Sequence, residues 1–180
     1  DLPALQALAQ EHKLHMVEDV AHAPLGRLDG RALGTWGDAG CFSFFGNKNM
    51  TTGEGGMIIC RDEKIADKSR LLRSHALTTT TYQRYQGYAY GYEVEELGYN
   101  YRIDEMRAAL GRVQLKKLAK VHAKRERLAS HYMQLLRERL PELEVPFTSE
   151  SPGEVWHVFT VCLPEADLTR PEVMRALGEL

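Results

Sequence analysis

One lysine of this sequence stands in a setting that favours covalent chemistry. Lys48 lies between an apolar run, Cys41 to Phe45, and a glycine-rich turn, Gly53 to Gly56. Aromatic neighbours and a tight turn can strip an amine of part of its hydration and so of its charge, which makes it a nucleophile able to form a Schiff base. The alternative is a loop lysine exposed to water, which is the more common arrangement for a lysine flanked by glycine. The segment does not match GxxxxGK[ST], the phosphate-binding loop.

Two further polar residues come at the end of a predicted strand. The leucines between residues 2 and 9 indicate an amphipathic helix, and the segment from Leu14 to Pro24 indicates a short strand that ends in acidic and small residues. Strand ends in open α/β sheets face the ligand crevice, so Asp19 and His22 fall where a cofactor would be held. Taken singly, Asp19 is more often a turn or capping carboxylate, and His22 is more often a hydrogen-bonded loop histidine.

Five sequence blocks nevertheless occur together and in order: Glu18-Asp19-x-Ala21-His22-Ala23, Phe42-Ser43-Phe44, Asn47-Lys48-Asn49-x-Thr51-Thr52-Gly53-Glu54-Gly55-Gly56, Arg73-Ser74-His75 and Leu97-Gly98-Tyr99-Asn100-Tyr101-Arg102. In this order the blocks resemble the DegT/DnrJ/StrS family of pyridoxal phosphate-dependent sugar aminotransferases. The resemblance runs from the start through the helix after Asn100. It continues more weakly to the end through Trp156-His157-Val158-Phe159.

The resemblance implies roles for three of these residues. The family lysine that matches Lys48 carries pyridoxal 5'-phosphate as a Schiff base, and the aspartate that matches Asp19 pairs with the pyridine nitrogen. A carboxylate there keeps the nitrogen protonated, so that the ring can accept electrons when a bond at the substrate's α carbon breaks. Ser43 matches the serine that binds the cofactor phosphate, a task that suits a hydroxyl donor.

Three more positions bear on the resemblance. Asn100 matches an asparagine that reaches the phosphate of the neighbouring subunit's cofactor, which implies a homodimer. His22 departs from the glutamine often found at its position, where the side chain contacts the cofactor's phenolic oxygen, and an imidazole N–H could replace that contact. Ala76 stands where a glycine commonly follows the histidine, and we interpret it as a tolerated loop variation.

The family's architecture sets the expected fold class. It is α/β, the large domain of the type I (aspartate aminotransferase-like) pyridoxal phosphate-dependent transferases, present in part, plus the start of a small α+β C-terminal domain. We expect residues 1–115 to form the C-terminal part of the cofactor-binding domain, 116–141 a connecting helix and 142–180 an incomplete small domain. Because the sequence starts at Asp1 and stops at Leu180 inside apparent helices, we expect an internal piece of a longer protein.

Apolar periodicity predicts the remaining elements. A short apolar run predicts a buried strand over Gly55 to Cys60, and helical spacing predicts a helix from Glu63 to Arg73. Asp104 is the expected N-cap of a long or bent helix that continues to Leu140, with the charged residues between Lys116 and Arg127 on its solvated face. A strand over Val155 to Leu163 and a helix start at Leu168-Thr169-Arg170-Pro171-Glu172 belong to the small domain.

The segment between Thr78 and Gly98 is rich in tyrosine. It contains Tyr82, Tyr85, Tyr88, Tyr90 and Tyr92. A stacking surface for nucleic acid would need a basic groove beside the rings, and none accompanies them. We expect a loop or hairpin that lines the site or the dimer contact and helps to receive the sugar or nucleotide half of a substrate.

Composition excludes some classes of partner. The 180 residues are 43% hydrophobic and 27% charged with a formal net charge of −2, a balance that predicts neither a nucleic-acid nor an acidic partner. Cys41, Cys60 and Cys162 are scattered, which favours neither a disulfide framework nor a metal site. No signal segment and no membrane-spanning apolar run is present in this sequence. We expect a cytoplasmic protein without a metal.

The resemblance implies an aminotransferase that moves an amino group from an amino acid, with glutamate expected, to a nucleotide-linked keto-sugar in polysaccharide biosynthesis. Lys48 would take the α proton from the donor and return a proton at the cofactor's aldehyde carbon. One alternative is a related sugar dehydratase, but members with that activity lack the lysine. Others are a non-catalytic regulator or inactive fragment with the same fold, and an unrelated α/β binding module without a covalent cofactor.

Overall fold

The computed structural model of the chain describes residues 1–78, 85–87, 91–146, 154–163 and 169–179. The helices are α1 (Leu2–Glu11), α2 (Glu63–Leu72), α3 (Glu105–Arg139) and α4 (Arg170–Gly178). The strands are β1 (Val17–Asp19), β2 (Arg27–Leu28), β3 (Arg31–Ala32), β4 (Ala39–Ser43) and β5 (Gly56–Cys60). This is the expected α/β arrangement, with each predicted helix found within a residue or two of its predicted start.

A three-stranded sheet in the order β1-β4-β5 organises the first part of the chain. β1 and β4 are parallel, and Asp19 at the end of β1 lies opposite Cys41. β5 returns antiparallel to β4 and places Gly56 opposite Ser43. The ends of β1 and β4 and the start of β5 therefore meet at one edge of the sheet.

The connection from β1 to β4 contains the hairpin β2-β3 and is held by a buried carboxylate. Glu18 is 7% exposed, and its two oxygens accept hydrogen bonds from the backbone N–H groups of Gly34, Trp36 and Gly37 at 2.6–2.8 Å. Gly34 has a φ of +86°. Since a methyl group on Gly40 would lie only 2.4 Å from the Gly34 Cα, the connection rests directly on β4. Glu18 thus fixes the strand whose next residue is Asp19.

The strand β5 differs from its prediction in burial. Met57 is 52% exposed and Ile58 is 54% exposed. β5 is the last strand of its sheet, and the described residues cover these side chains only in part. The prediction of a strand is confirmed, whereas the prediction that this strand is buried is wrong for the chain as described.

After α2 the chain folds back along itself. Asp62 caps α2 by accepting a hydrogen bond from the Lys64 N–H at 2.8 Å. Antiparallel bridges then join Ser74 to Asn100 and Leu77 to Val94, in agreement with the predicted loop or hairpin. Of the tyrosines in this segment, Tyr85 and Tyr92 are exposed, while Tyr82, Tyr88 and Tyr90 lie outside the described residues.

The helix α3 extends over 35 residues, and Asp104 caps it as predicted by accepting a hydrogen bond from the Arg107 N–H at 2.8 Å. Two clusters of buried apolar side chains use this helix. One joins Phe44, Met50 and Leu118, with Phe42 packed against it, and the other joins Ala129, Met133 and Trp156, with Val145 and Phe159 packed against it. The helix passes through residue 116 without a break, and the division into domains stays a prediction.

The C-terminal part of the chain departs from one prediction and agrees with another. The strand predicted over Val155 to Leu163 is not formed among residues 154–163, where a single bridge joins Cys162 to Glu144. A strand requires a neighbour along its length, and Glu144 supplies only one pairing. The helix start at Thr169 is confirmed, because Thr169 and Glu172 form a capping box. Within the described ranges, every helix is too short or too polar to cross a bilayer.

Candidate functional site

The predicted site residues Asp19 and Ser43 lie on neighbouring parallel strands. Asp19 is opposite Cys41, and Ser43 is two residues further along β4, roughly 7 Å in the strand direction. Asp19 is exposed, and its Oδ1 accepts a hydrogen bond from the Ala21 N–H at 2.9 Å. Residues that the structure describes donate no hydrogen bond to Oδ2 of Asp19. That oxygen is free to receive a donor at the edge of the sheet.

The loop after β4 carries Lys48 and is closed by its own backbone. The Lys48 N–H donates to the Phe45 carbonyl at 3.1 Å, and the Thr52 N–H donates to the Phe44 carbonyl at 2.9 Å. Phe44 and Met50 are buried against Leu118 of α3. The lysine is half-buried in a loop whose two flanks are anchored in the apolar core.

Helix α3 also contacts the part of this loop that follows Lys48. A methyl group on Gly111 would lie 3.1 Å from Thr52 Cγ2, so the helix and the loop are in close contact at a glycine. A hydrogen bond from Thr52 Oγ1 to the Glu54 carbonyl at 2.7 Å fixes the turn that follows Lys48. The backbone around the lysine is therefore defined by tertiary contacts as well as by the turn.

A histidine pair completes the described surroundings of Lys48. The rings of His22 and His157 are tilted by 44° to each other, with their centroids 4.2 Å apart. His157 Nδ1 is 2.9 Å from Oδ1 of Asn49, the residue after Lys48. Nδ2 of Asn49 donates to the Trp156 carbonyl at 3.3 Å. These contacts join the lysine loop, the end of β1 and the segment around Trp156.

Positive charge accumulates around His157. Burial lowers the pKa of His157, and the positive charges of His22, Lys48 and Arg125 lower it further. Arg125 Nη1 donates to the carbonyls of Trp156 and His157 at 3.3 and 3.2 Å. Each of these effects favours the neutral imidazole over the charged ring.

The structure thus gathers four of the five predicted residues into two neighbouring groups. Asp19 and Ser43 lie on the adjoining strand ends, and Lys48 and His22 both approach His157. Asn100 is exposed and pairs with Ser74, and among the described residues it forms no hydrogen bond with the other four. Across the described ranges, His, Cys, Asp and Glu do not cluster as a metal site would require.

Three residues of this region were not predicted as site residues. Asn49 and His157 were quoted only as parts of sequence blocks. Arg125 was assigned to the solvated face of α3, which is wrong, because it is half-buried and bonded to two carbonyls. Its spacing of seven residues from the buried Leu118 places both on one helix face, and this was the signal that could have identified it.

An open apolar cavity of about 510 Å³ lies on the other side of Asp19. It is lined by α1, by β1 and by the segment between them, with Leu5, Leu8 and Leu14 among the exposed side chains. The cavity brings apolar surface up to the carboxylate but adds no polar partner other than Glu18 and His15.

Comparison with known proteins agrees with the resemblance in the sequence. A profile described as the DegT/DnrJ/EryC1/StrS aminotransferase family matches residues 1–180. The spore coat polysaccharide biosynthesis protein SpsC of Bacillus subtilis is 39% identical over 182 residues, which are 99% of this chain and 46% of SpsC. A UDP-N-acetyl-3-dehydro-alpha-D-glucosamine 3-aminotransferase of Acidithiobacillus ferrooxidans is 36% identical over 171 residues, covering 94% of this chain and 43% of the relative.

Solved structures show the same fold. The crystal structure of S. venezuelae DesV superposes with a TM-score of 0.83 at 34% sequence identity, covering 99% of this chain and 44% of DesV. The chain therefore spans less than half the length of the relatives that it matches.

Proposed function

The chain belongs to the DegT/DnrJ/EryC1/StrS aminotransferase family, and from this premise we propose that the intact protein is a pyridoxal phosphate-dependent aminotransferase. Its amino donor is an amino acid, with glutamate expected, and its acceptor is a nucleotide-linked keto-sugar. The observation that carries the proposal is the shared sheet edge where Asp19 and Ser43 end their strands and the Lys48 loop begins. The names of the A. ferrooxidans and B. subtilis relatives support a sugar substrate and a place in polysaccharide biosynthesis.

The polar groups of this edge fit the cofactor's chemistry. Pyridoxal phosphate presents a pyridine nitrogen, a phenolic oxygen, an aldehyde and a phosphate, and these would be held by Asp19, His22, Lys48 and Ser43 in that order. The free Oδ2 of Asp19 suits a protonated nitrogen, and the Ser43 hydroxyl suits an anionic oxygen. When bound, the cofactor supplies an electron sink for the pair released at the substrate's α carbon.

The chain's own residues would carry out the proton movements. Asp19 holds the proton at the ring nitrogen by its negative charge. Lys48 would hold the cofactor covalently and, once the donor's amino group had displaced it, would take the proton from the donor's α carbon as a free amine. The Lys48 N–H is hydrogen-bonded to the Phe45 carbonyl, and the loop is flanked by the buried Phe44 and Met50. The backbone of Lys48 is therefore held in place while its side chain moves.

We further propose a homodimer in which Asn100 serves the partner's site. Two observations support this. Among the described residues, Asn100 forms no hydrogen bond with the other predicted site residues of its own chain. The residues around it expose large apolar side chains, with Leu97 82%, Tyr101 73% and Met106 82% exposed. Apolar patches of this kind are typical of subunit interfaces.

The function is tested with the intact protein and pyridoxal phosphate. We expect a visible absorbance band that is lost in Lys48→Ala, borohydride trapping of the cofactor on Lys48 and amino transfer from glutamate to a keto-sugar. Lys64→Ala, at an exposed lysine of α2, is the matched control and should keep the band. Label on another lysine, or a band unchanged in Lys48→Ala, would contradict the assignment.

The alternatives have different outcomes in the same experiment. A non-catalytic relative would show the band and no amino transfer. A sugar dehydratase would release water from its sugar, and the presence of Lys48 speaks against it because relatives with that activity lack the lysine. An unrelated binding module would show no covalent cofactor.

A further inference from the structure

The hydrogen bonds of Asn49 determine which way its amide group faces. Asn49 is buried, with 8% of its surface exposed. One end of the amide is 3.3 Å from the Trp156 carbonyl, which can only accept, so the NH₂ group must lie there. The amide oxygen therefore faces Nδ1 of His157 at 2.9 Å.

This orientation fixes the tautomer of His157. The amide oxygen of Asn49 can only accept a hydrogen bond, so Nδ1 of His157 must carry a proton. In the neutral ring Nε2 then has a lone pair and no hydrogen. Nε2 points away from Asn49 and, among the described residues, receives no hydrogen bond.

The charges around the ring favour this neutral form. The groups that face it are His22, Lys48 and Arg125, all positive when charged. A proton on Nε2 would add a further positive charge beside them, at a cost that burial increases.

His22 packs against this ring. The centroid distance of 4.2 Å and the tilt of 44° describe a close contact between two tilted rings. His22 is exposed and lies just beyond the end of β1, where no other described residue forms a hydrogen bond with its ring. Among the described residues, His157 is therefore the ring against which the His22 imidazole is oriented.

We propose that His157 is a positioning residue of the site. Asn49 holds it as a neutral ring with a proton on Nδ1, so that Nε2 remains a hydrogen-bond acceptor. His22 packs against this ring and is positioned by it. The tautomer and the contact between the rings do not depend on the cofactor. Their consequence for catalysis rests on the proposed function, in which His22 donates to the cofactor's phenolic oxygen. The segment around Trp156 is then part of the site, although it is more than a hundred residues away in sequence from Lys48.

The tautomer is measured by long-range ¹H–¹⁵N correlation in the intact protein labelled with ¹⁵N-histidine. We expect the His157 signals, identified by their loss in His157→Gln, to show the pattern of a proton on Nδ1 at neutral pH. A proton on Nε2, or a charged ring at pH 7, would overturn the proposal. His131→Gln, at an exposed histidine of α3, is the control for the effect of removing a histidine.

Two variants test separately the hydrogen bond from His157 to Asn49 and the contact between His157 and His22. Asn49→Asp keeps the acceptor and adds a negative charge, so the pH at which His157 titrates should rise while Nδ1 remains protonated. His157→Gln should shift the ring signals of His22, because the aromatic ring beside them is gone, whereas His131→Gln should leave them in place. Unchanged His22 signals in His157→Gln would refute the proposal that His157 positions His22.

The cofactor spectrum separates this proposal from the proposed function. If His22 meets the cofactor, then His157→Gln should change the pH dependence of the absorbance band, and His131→Gln should not. If the tautomer and the contact between the two rings are confirmed but the wild-type protein shows no absorbance band, the aminotransferase proposal is refuted and the positioning role stands. If the band is normal but the proton is on Nε2, the positioning role is refuted and the aminotransferase proposal stands.

Discussion

At the scale of single residues, Glu18 shows how a buried charge can prepare a site without entering it. Its carboxylate accepts three backbone N–H groups from the connection between β1 and β4. Hydrogen bonds to a charged acceptor stabilise more than neutral ones, and three of them offset much of the cost of burying the carboxylate. The neighbouring Asp19 therefore projects from a strand that cannot shift freely.

Glu18→Gln should destabilise the protein by about 3 kcal/mol, because the amide nitrogen of glutamine would face N–H donors that need an acceptor. The measurement is the free energy of unfolding in denaturant on the intact protein, with Glu11→Gln at the exposed end of α1 as the control. A loss no larger than that of the control would mean that the three hydrogen bonds are not a determinant of stability.

A second residue-scale prediction concerns His122, whose Nε2 is buried without a partner among the described residues. Burial lowers the pKa of His122, and the nearby Arg125 lowers it further. The unfolded chain therefore binds a proton more readily than the folded chain, so this contribution to stability is present above pH 6.5 and is lost as the pH falls below it.

His122→Leu should stabilise the protein at pH 7 by about 1 kcal/mol, since it removes a buried group without a partner. It should also flatten the decline of the melting temperature between pH 7 and pH 5. Thermal unfolding across that range measures both effects, with His131→Leu as the exposed control. A variant that melts lower than the wild type at pH 7 would indicate that Nε2 of His122 has a partner in the intact protein.

The residues that could be predicted from sequence are those that belong to short blocks. Lys48, Asp19, Ser43 and His22 were identified because the blocks that contain them resemble those of a known family, and their proposed roles await measurement. The pairing of Asn49 with His157 could not be predicted, because no local pattern records a contact between residues 108 apart. Arg125 was misassigned because a basic residue in a charged stretch of helix is usually solvated.

At the scale of elements, the return of the chain after α2 depends on one glycine. A methyl group on Gly98 would lie 2.2 Å from the Ala76 backbone nitrogen, and Ala76 is fully buried with a φ of +53°. An L-residue in this left-handed conformation is strained, and a glycine at position 76 would relieve that strain. The backbone atoms at Gly98 and Ala76 cannot move apart as the end of a flexible side chain could.

Gly98→Ala should cost about 2 kcal/mol or more, because the two backbones would have to separate. It should also weaken activity, since Asn100 follows two residues later. Gly91→Ala is the matched control, as a methyl group there meets nothing within 4 Å. Equal melting temperatures for the two variants would show that the contact at Gly98 can relax without cost.

Helices were easier to predict than strands for a physical reason. Helical spacing from Glu63, the expected cap Asp104 and the start at Thr169 are local signals, and the structure has a helix at each of them, capped by Asp62, Asp104 and Thr169. A strand depends on partners that may be distant in sequence, so the apolar run at Gly55 to Cys60 indicated a strand but not its exposure, and Val155 to Leu163 does not form one within the described residues.

At the scale of the whole molecule, the proposed dimer makes a quantitative prediction. Lys48→Ala and Asn100→Ala should each abolish or strongly reduce activity when alone. If Asn100 serves the partner's site, a mixed dimer has one complete site, containing the Lys48 of one subunit and the Asn100 of the other. Random assembly of equal amounts should therefore restore about a quarter of the wild-type activity.

The measurement uses co-expressed or unfolded and refolded mixtures, with Lys48→Ala mixed with Lys48→Ala plus Asn100→Ala as the negative control. No recovery in the first mixture, together with mixed dimers detected by mass spectrometry, would assign Asn100 to its own subunit. Activity of Asn100→Ala equal to the wild type would remove it from the site altogether.

The fold class and the family could be predicted because several short blocks in a fixed order carry more information than any one of them. The arrangement of exposed apolar surface could not. Leu5, Leu14 and Met106 follow ordinary helical or strand patterns, and periodicity shows which face is apolar without showing what covers it. Contacts with the rest of the intact protein lie beyond any reading of local pattern.

The long helix α3 gives the molecule a mechanical property. Its 35 residues make a rod of about 52 Å, and the rod carries Leu118 against the Lys48 loop and Met133 against Trp156. Leu118 and Met133 are separated by about 22 Å along the axis, so a rotation of one degree about one of them displaces the other by about 0.4 Å. One continuous helix links the two clusters, so a small tilt imposed near Trp156 would be transmitted to the loop that holds the lysine.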